Sequence, residues 1–576
     1  MLPESIGTAK HVLSVWDDPS EIEAVKQLLF KEQGIGREEL PTRVLDLGIG
    51  QKGDDDIRLF EPPDCFEPQL YATLSHCWLR EDVESSKTLT TNIQERKDRL
   101  SLSELPDSFQ QCVAFCRRMG IQYLWIDSLC IVQNDATDWD REAATMHLVY
   151  ARSWFTIAMH GSTRGCIPYR DIVFSTDGQE TTLHVRRIPE LLDIVQGKII
   201  APQVSRSVDL AENSAWNAVM LRGWCFQERV LSNRMIHFTD HEFLYEARGV
   251  IRRCQCRQHF NWQPGMAGRL SRGPLREDDN YRDWTALVTQ YTQRMFGRQS
   301  DVLPGFQGIA VKFAEQRRLG AYLCGLWERD LLKLLCWKST AWASHMDSSI
   351  GCDDCRPHPK RTQGLDDQAV PSWSWASRFG PCEFVFESWN LEEYVEDADF
   401  LSVCEAESGG QYLRLRGSLY ACRHFSTSVL DEATQRSTGL CSREYAWAVP
   451  DTLVKQWDLK RDIVNILKDA MRDGVQYRID AEDDLPKDNS KVYLFPLFAK
   501  ADGSAKLCLV LKPADRPLQE QPIPNSAIGA VFQSWIPWLQ TSKTRQHWLK
   551  RIGIAVFENS FLEQLRIDAE QIIYLT

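Results

Sequence analysis

The stretch LPDSFQQCVAFCRRMGIQYLWIDSLCIVQND, residues 105–135, decides the fold class. Pro106 suits the opening of a helix, in which Phe109, Cys112, Val113 and Cys116 recur at i, i+3, i+4 and i+7, and Gly120 is a natural stop. Residues 123–131 then form a nearly unbroken apolar run with β-branched and aromatic side chains, interrupted by Asp127 and Ser128. Such a run predicts a strand buried on both faces of a parallel sheet. Upstream, short strands are predicted at 43–47 and 57–60, separated by the polar turn GIGQKGDDD, and at 71–76. Downstream, a second helix over roughly 139–152 leads into an apolar strand at 154–159. Strands and helices alternating at this spacing imply βαβ crossovers and an α/β fold with a mostly parallel sheet and flanking helices. Ligands of such sheets bind outside the carboxyl ends of the strands.

Further along, 222–232 reads as a helix or turn, followed by a hairpin of 234–238 and 242–246. Residues 283–340 read as helical, including 323–337, and 345–369 as a polar loop. From Pro371 short strands take over, at 413–415, 492–498, 507–511 and 552–557, with one mixed helical stretch at 454–471. The expected layout is an N-terminal lead-in (1–40, with one amphipathic helix around 22–32), an α/β domain (41–250), a helical middle (251–345), a linker (346–370) and a β-rich C-terminal region (371–576). A chain of 576 residues exceeds what one hydrophobic core usually serves, in keeping with several packed units.

Composition narrows the function. With 67 Lys and Arg against 80 Asp and Glu, the net charge is −13 and no basic stripe develops. Phosphate neutralisation needs clustered cations, so no nucleic-acid partner is expected; the four arginines in 248–257 read as a solvated face. No run of about 18 apolar residues predicts a membrane helix, and the early acids of MLPESIGTAKHVLSVWDD do not predict a signal peptide. The expected location is cytoplasmic, where many of the 18 cysteines act as small hydrophobes. Cys352-x-x-Cys355-x-x-His358 has zinc-like spacing but no evident fourth ligand, so neither metal nor cofactor is expected.

The candidate site residues cluster where chain leaves the sheet. Asp127 interrupts the most apolar strand, and a buried carboxylate must meet a cation, backbone N–H groups or a ligand; Arg222 is the leading partner. Ser75, His76 and Trp78 follow the strand at 71–76, where Trp78 either stacks a planar group or belongs to the core, and His76 either titrates or is structural. Arg222, Trp224, Gln227 and Glu228 crowd one short element. They either lock it to the sheet through Asp127 or bring Glu228 and Gln227 to a ligand.

Three blocks in this order resemble the heterokaryon-incompatibility (HET) domain family of filamentous fungi: TRVLDL with YATLSHCW; LPDSFQQCVAFCRRMGIQYLWIDSLCIVQND continuing through DREAATMHLVYARS; and RGWCFQERVLSNRMIHF. The resemblance covers about residues 40–250, and loosely 300–380 through DVLPGFQGIA, YLCGLW, LLCW and PSWSWAS. Leu79 replaces a common glycine, and Val132 precedes Gln133 where the family has LCIDQ or LCINQ. The resemblance implies non-self recognition and cell-death signalling. The family core is similar to TIR domains, some of which hydrolyse NAD, which implies a TIR-like sheet and a substrate-binding role for Gln133. It also implies that Glu142, in DWDRE, is a catalytic carboxylate beside Asp127 and Glu228; the alternative is a first-turn acid complementing the helix dipole. Three functions stand open: cleavage of NAD or a related nucleotide, a non-catalytic module that works through a protein partner or self-assembly, and transformation of a small metabolite on the same scaffold.

Overall fold

A computed structural model describes residues 38–49, 57–76, 86–159, 169–176, 179–186, 219, 222–238, 243–247, 250–253, 259–260, 270, 277–294, 296–315, 317–339, 370–377, 380–388, 391–405, 411–426, 445–449, 475–479, 490–514, 547–563 and 565–576. Strands β1 (Val44–Asp46), β2 (Arg58–Phe60), β3 (Tyr71–Ser75), β4 (Tyr123–Trp125) and β5 (Phe155–Met159) enter one sheet. The hairpin β6 (Tyr169–Thr176) and β7 (Gln179–Arg186) stands apart, and β8 (Arg234–Phe238), β9 (Phe243–Ala247), β10 (Val250–Arg253) and β11 (His259–Phe260) complete the sheet. Its order is β11-β10-β9-β8-β5-β3-β4-β1-β2. The middle four strands, β8-β5-β3-β4, are parallel, and both flanks are antiparallel. The three segments 71–76, 123–131 and 154–159 thus supply neighbouring parallel strands, as the crossover pattern requires.

Helices α1 (Ile93–Asp98) and α2 (Asp107–Met119) join β3 to β4, and α3 (Asp127–Cys130) and α4 (Ala136–Arg152) join β4 to β5. Since β3 lies between β4 and β5, the segments that leave the carboxyl ends of these strands gather at one end of the sheet, the end at which ligands of such sheets bind. The alternation of β3 decides which side chains face it. Ala72 and Leu74 face α2, whose Phe115 packs edge-on against Phe155 and Phe238. Tyr71, Thr73 and Ser75 face α4 and α5 (Gly223–Leu231). Tyr71 Oη donates to the Val149 carbonyl at 2.7 Å, and Thr73 Oγ1 bonds Thr156 Oγ1, itself bonded to Ser232 Oγ at 2.6 Å. Gly120 ends α2 with φ of 77°, a left-handed residue that glycine adopts without strain.

Two local readings need correction. The predicted strand at 123–131 ends at Trp125, and Asp127–Cys130 makes one helical turn. Asp127 Oδ1 accepts the Ser128 N–H at 2.7 Å, a local bond that competes with the ladder. The predicted helix at 323–337 begins instead as a hairpin of Tyr322–Leu323 and Leu326–Trp327, is helical only as a 3-10 turn at Glu328–Asp330 and an α-turn at Leu331–Leu334, and ends in a strand at Trp337–Ser339. Helices α6 (Glu277–Thr292) and α7 (Pro304–Ala314) make up the rest of the helical middle.

The C-terminal region is β-rich and, among the described residues, is built on a nine-stranded sheet. Gln411–Ser426 pairs with Tyr445–Val449, Lys491–Lys500 and Arg566–Leu575, and the pairings close into a hydrogen-bonded ring through Ala505–Pro513, His547–Glu558 and Val475–Ile479. The PSWSWAS block ties this region to the helical middle. Trp375 Nε1 and Trp284 Nε1 both donate to the Gly325 carbonyl, and Ser372 N–H bonds the Thr576 carbonyl. The stretches 22–32 and 454–471 lie outside the described residues.

Gly325 has φ of 96°, and a Cβ there would lie 2.6 Å from Trp375 Nε1. Gly325→Ala should therefore destabilise the protein by about 2 kcal/mol or more, through backbone strain and overpacking. Urea unfolding checks this; an unchanged midpoint would contradict the packing described.

Candidate functional site

At the carboxyl end of β3, Ser75 and His76 meet Asp127 at the opening of α3, Tyr150 of α4, and Arg222, Cys225 and Glu228 of α5. His76 Nδ1 lies 3.7 Å from Asp127 Oδ1, and the imidazole stands edge-on to Phe109 at 5.0 Å. Burial, with the Arg222 guanidinium, lowers the His76 pKa against the pull of Asp127. Arg222, where α5 begins, donates Nη1 to the His76 carbonyl at 3.3 Å, which holds the helix start to the strand end. Tyr150 Oη donates to the Leu74 carbonyl at 3.1 Å and borders Glu228.

Glu228 is the unusual group. It is 6% exposed, and its pKa is raised to about 7 by burial first and by the Asp127 charge second, against the Ser75 hydroxyl, Arg222 and Cys225. Ser75 Oγ and Glu228 Oε2 are both buried, close together, and closed by no well-formed hydrogen bond among the described residues. Buried polar atoms in that condition are costly and concentrate at functional sites. A carboxyl that changes protonation near neutrality beside a second carboxylate is a pair suited to proton transfer and to stabilising a cation.

Glu142 sits in a neighbouring cluster on the β1 side of α3. It is 2% exposed, so it is not a solvated first-turn acid. Its Oε1 accepts Arg141 at 3.2 Å and lies 3.6 Å from Arg43 Nη2. Arg43, buried just before β1, also donates Nε to the Cys130 carbonyl at 2.7 Å and pairs with Asp138 at 2.5 Å. Burial opposes ionisation of Asp138, but bonds from Arg43 and the Val132 N–H outweigh it and lower the pKa. The Cys130 thiol, pushed up to about 12 by burial, feels Arg43, Glu142 and Asp127 together, so the two clusters adjoin across α3. A cleft of about 750 Å³ opens beside Arg43, Asp138, Arg141, Thr90 and Val132.

The other residues singled out in the sequence have definite places. Gln133 Nε2 donates to the carbonyls of Asp127 and Ile131, both at 3.1 Å, which pins the loop after α3. Gln227 Oε1 accepts the Gly308 N–H at 3.0 Å, and Trp224 Nε1 donates to Asp301 at 3.4 Å, so both reach the helical middle. Trp78, Leu79, Cys352, Cys355 and His358 lie outside the described residues. Sequence reasoning did not single out Tyr150, Cys225, Arg43 or Asp138. Tyr150 was hidden in the apolar periodicity of α4, and Arg43 looked like a strand-edge cation.

Residues 71–228 match the model of one family, described as heterokaryon incompatibility protein (HET). Residues 71–228 are a HET domain. No curated protein and no solved structure matches the chain. The HET segment opens at the first residue of β3 and closes on Glu228, so it holds Ser75, Asp127, Glu142 and Glu228 together. Arg43 and β1 reach the HET segment from before it, and β8 to β11 extend its sheet after it.

Because the folded pKa of Glu228 is raised, its stabilising contribution is complete below the ordinary glutamate value and is lost as pH rises through about 7. Glu228→Gln removes the charge that burial disfavours. The variant should gain roughly 3 kcal/mol relative to the parent at pH 8, and the gain should shrink toward pH 4. Denaturant unfolding across that range measures it; a pH-independent difference would contradict a raised Glu228.

Proposed function

We propose that the protein acts in heterokaryon incompatibility by cleaving NAD or a related nucleotide at the carboxyl end of β3, on a TIR-like core. The observation that carries this reading is the pairing of buried Glu228 with half-buried Asp127, with Glu228 poised near neutrality where substrates of parallel sheets bind. In NAD cleavage the C1′–N bond breaks and its electron pair leaves with nicotinamide, which departs neutral. The ribose is left cationic, and the Asp127 carboxylate stabilises it. Water then adds to C1′, and its proton passes to ionised Glu228, giving ADP-ribose. Arg222 offers positive charge to a phosphate, and Trp78 a face for a planar base.

Glu142 takes a different role in this reading. Two arginines already balance its charge, so it orders α4 and Arg43 beside the site, and Glu228 is the base. Purified full-length protein, free and assembled, should release nicotinamide and ADP-ribose from NAD, as read by mass spectrometry. Turnover should rise with pH through about 7. Glu228→Gln should lower it on the order of 10²-fold with the fold retained. Undiminished cleavage by Glu228→Gln would remove the base, and no turnover of NAD or related nucleotides by the parent in either state would reject the activity.

A further inference from the structure

Helix α5 has two working faces. One carries Arg222, Cys225 and Glu228 toward the end of β3, and the other carries Trp224 and Gln227 toward the helical middle. The second face is closely fitted. Gln227 is 1% exposed and accepts the Gly308 N–H at 3.0 Å. A Cβ at Gly308 would lie 2.2 Å from His147 Cβ of α4 and 2.8 Å from Gln227 Oε1, and a Cβ at Gly305 would lie 2.7 Å from Tyr291 Oη. Helix α7 therefore meets α4 and α5 through glycines, at a distance no larger residue allows. Trp224 also stands edge-on to Trp139 of α4 at 6.2 Å, and Phe226 packs on Tyr291 of α6 at 5.6 Å. All of α7 lies outside the HET segment.

We propose that Gln227 and Gly308 form a positioning pair that seats α5, so that the helical middle sets where Glu228 stands against Asp127 and Ser75. Gln227 and Glu228 are consecutive on one short helix, so a shift of α5 that lengthens the Gln227–Gly308 bond moves the Glu228 carboxyl as well. Withdrawal of α7 withdraws Glu228, which gives the rest of the chain a hold on the site. The proposal rests on Glu228 as the working carboxyl of the function proposed above, and its test does not use turnover.

The groups facing Glu228 are Asp127 of α3, Tyr150 of α4, Ser75 of β3, and Arg222 and Cys225 of α5 itself. Titration of the full-length chain carrying carboxyl-¹³C glutamate, with the Glu228 resonance assigned by its loss in Glu228→Gln, reads that environment directly. In Gln227→Leu and Gly308→Ala the Glu228 midpoint should fall from about 7 toward the ordinary glutamate range, while exposed Gln307→Ala leaves it unchanged. Cooperatively folded variants with the parental midpoint would overturn the positioning role. Should neither variant fold, hydrogen exchange of the unaltered protein decides. Amides of α5 and α7 opening together support the clamp, and α5 protected through openings of α7 overturns it. A parental midpoint in the ordinary range would overturn the function proposed above, and the exchange experiment would then decide the clamp alone.

Discussion

The parallel pairing of β3 with strands on both sides is the constraint from which the rest of the α/β core follows. Tyr71, Ala72 and Thr73 pair with Tyr123, Leu124 and Trp125, and Ala72 to Ser75 pair with Phe155 to Ala158. Parallel neighbours cannot be joined by tight turns, so each connection must travel the length of the sheet as a helix. With β4 on one side and β5 on the other, the segments that follow these strands are brought together at the carboxyl end of β3. Ser75, His76, Asp127 and Glu228 meet there because three separate segments terminate or begin at that edge.

The energetics of this edge are divided. On the β1 side, Arg43 and Arg141 answer Asp138 and Glu142, and every carboxylate has a cation beside it. Beneath β8 and β9, Arg229 and His237 answer Glu246, which they hold at a pKa of about 2 against the cost of burial. Glu228 has no comparable compensation: burial and Asp127 outweigh Arg222, Ser75 and Cys225. A chain that balances two buried acidic clusters and leaves a third carboxyl poised departs from its own pattern at one place, as functional sites do.

The strands β1 to β5, β8 and β9 and the helices α2 and α4 were legible in the sequence because their signals are local, whereas α1 and the β6–β7 hairpin were not read from it. Helix α2 shows four apolar residues at helical spacing between Pro106 and Gly120, and α4 ends just before an apolar strand. Failures arose where a tertiary contact or a side-chain bond overrode the pattern. Residues 127–130 are apolar enough for a strand, yet the Asp127 carboxyl turns the chain at once. Residues 323–327 read as helical, but Gly325 lies under two tryptophan donors in a left-handed conformation that no helix contains. For the site, Asp127 and Glu228 were visible as carboxylates in apolar surroundings. Arg43 as the partner of Glu142, and Gly308 as the partner of Gln227, were not, since each pair spans some 80 residues or more and carries no periodic signal.

The central claim is that a buried carboxyl at the end of β3 holds a proton near neutrality. Infrared difference spectroscopy between pH 6 and pH 8 tests it most directly, because a protonated carboxyl has a carbonyl stretch that the carboxylate lacks. A protonated-acid band that titrates near 7 and vanishes in Glu228→Gln is the predicted result. A spectrum without that band at pH 6, or one unchanged in Glu228→Gln, would contradict it.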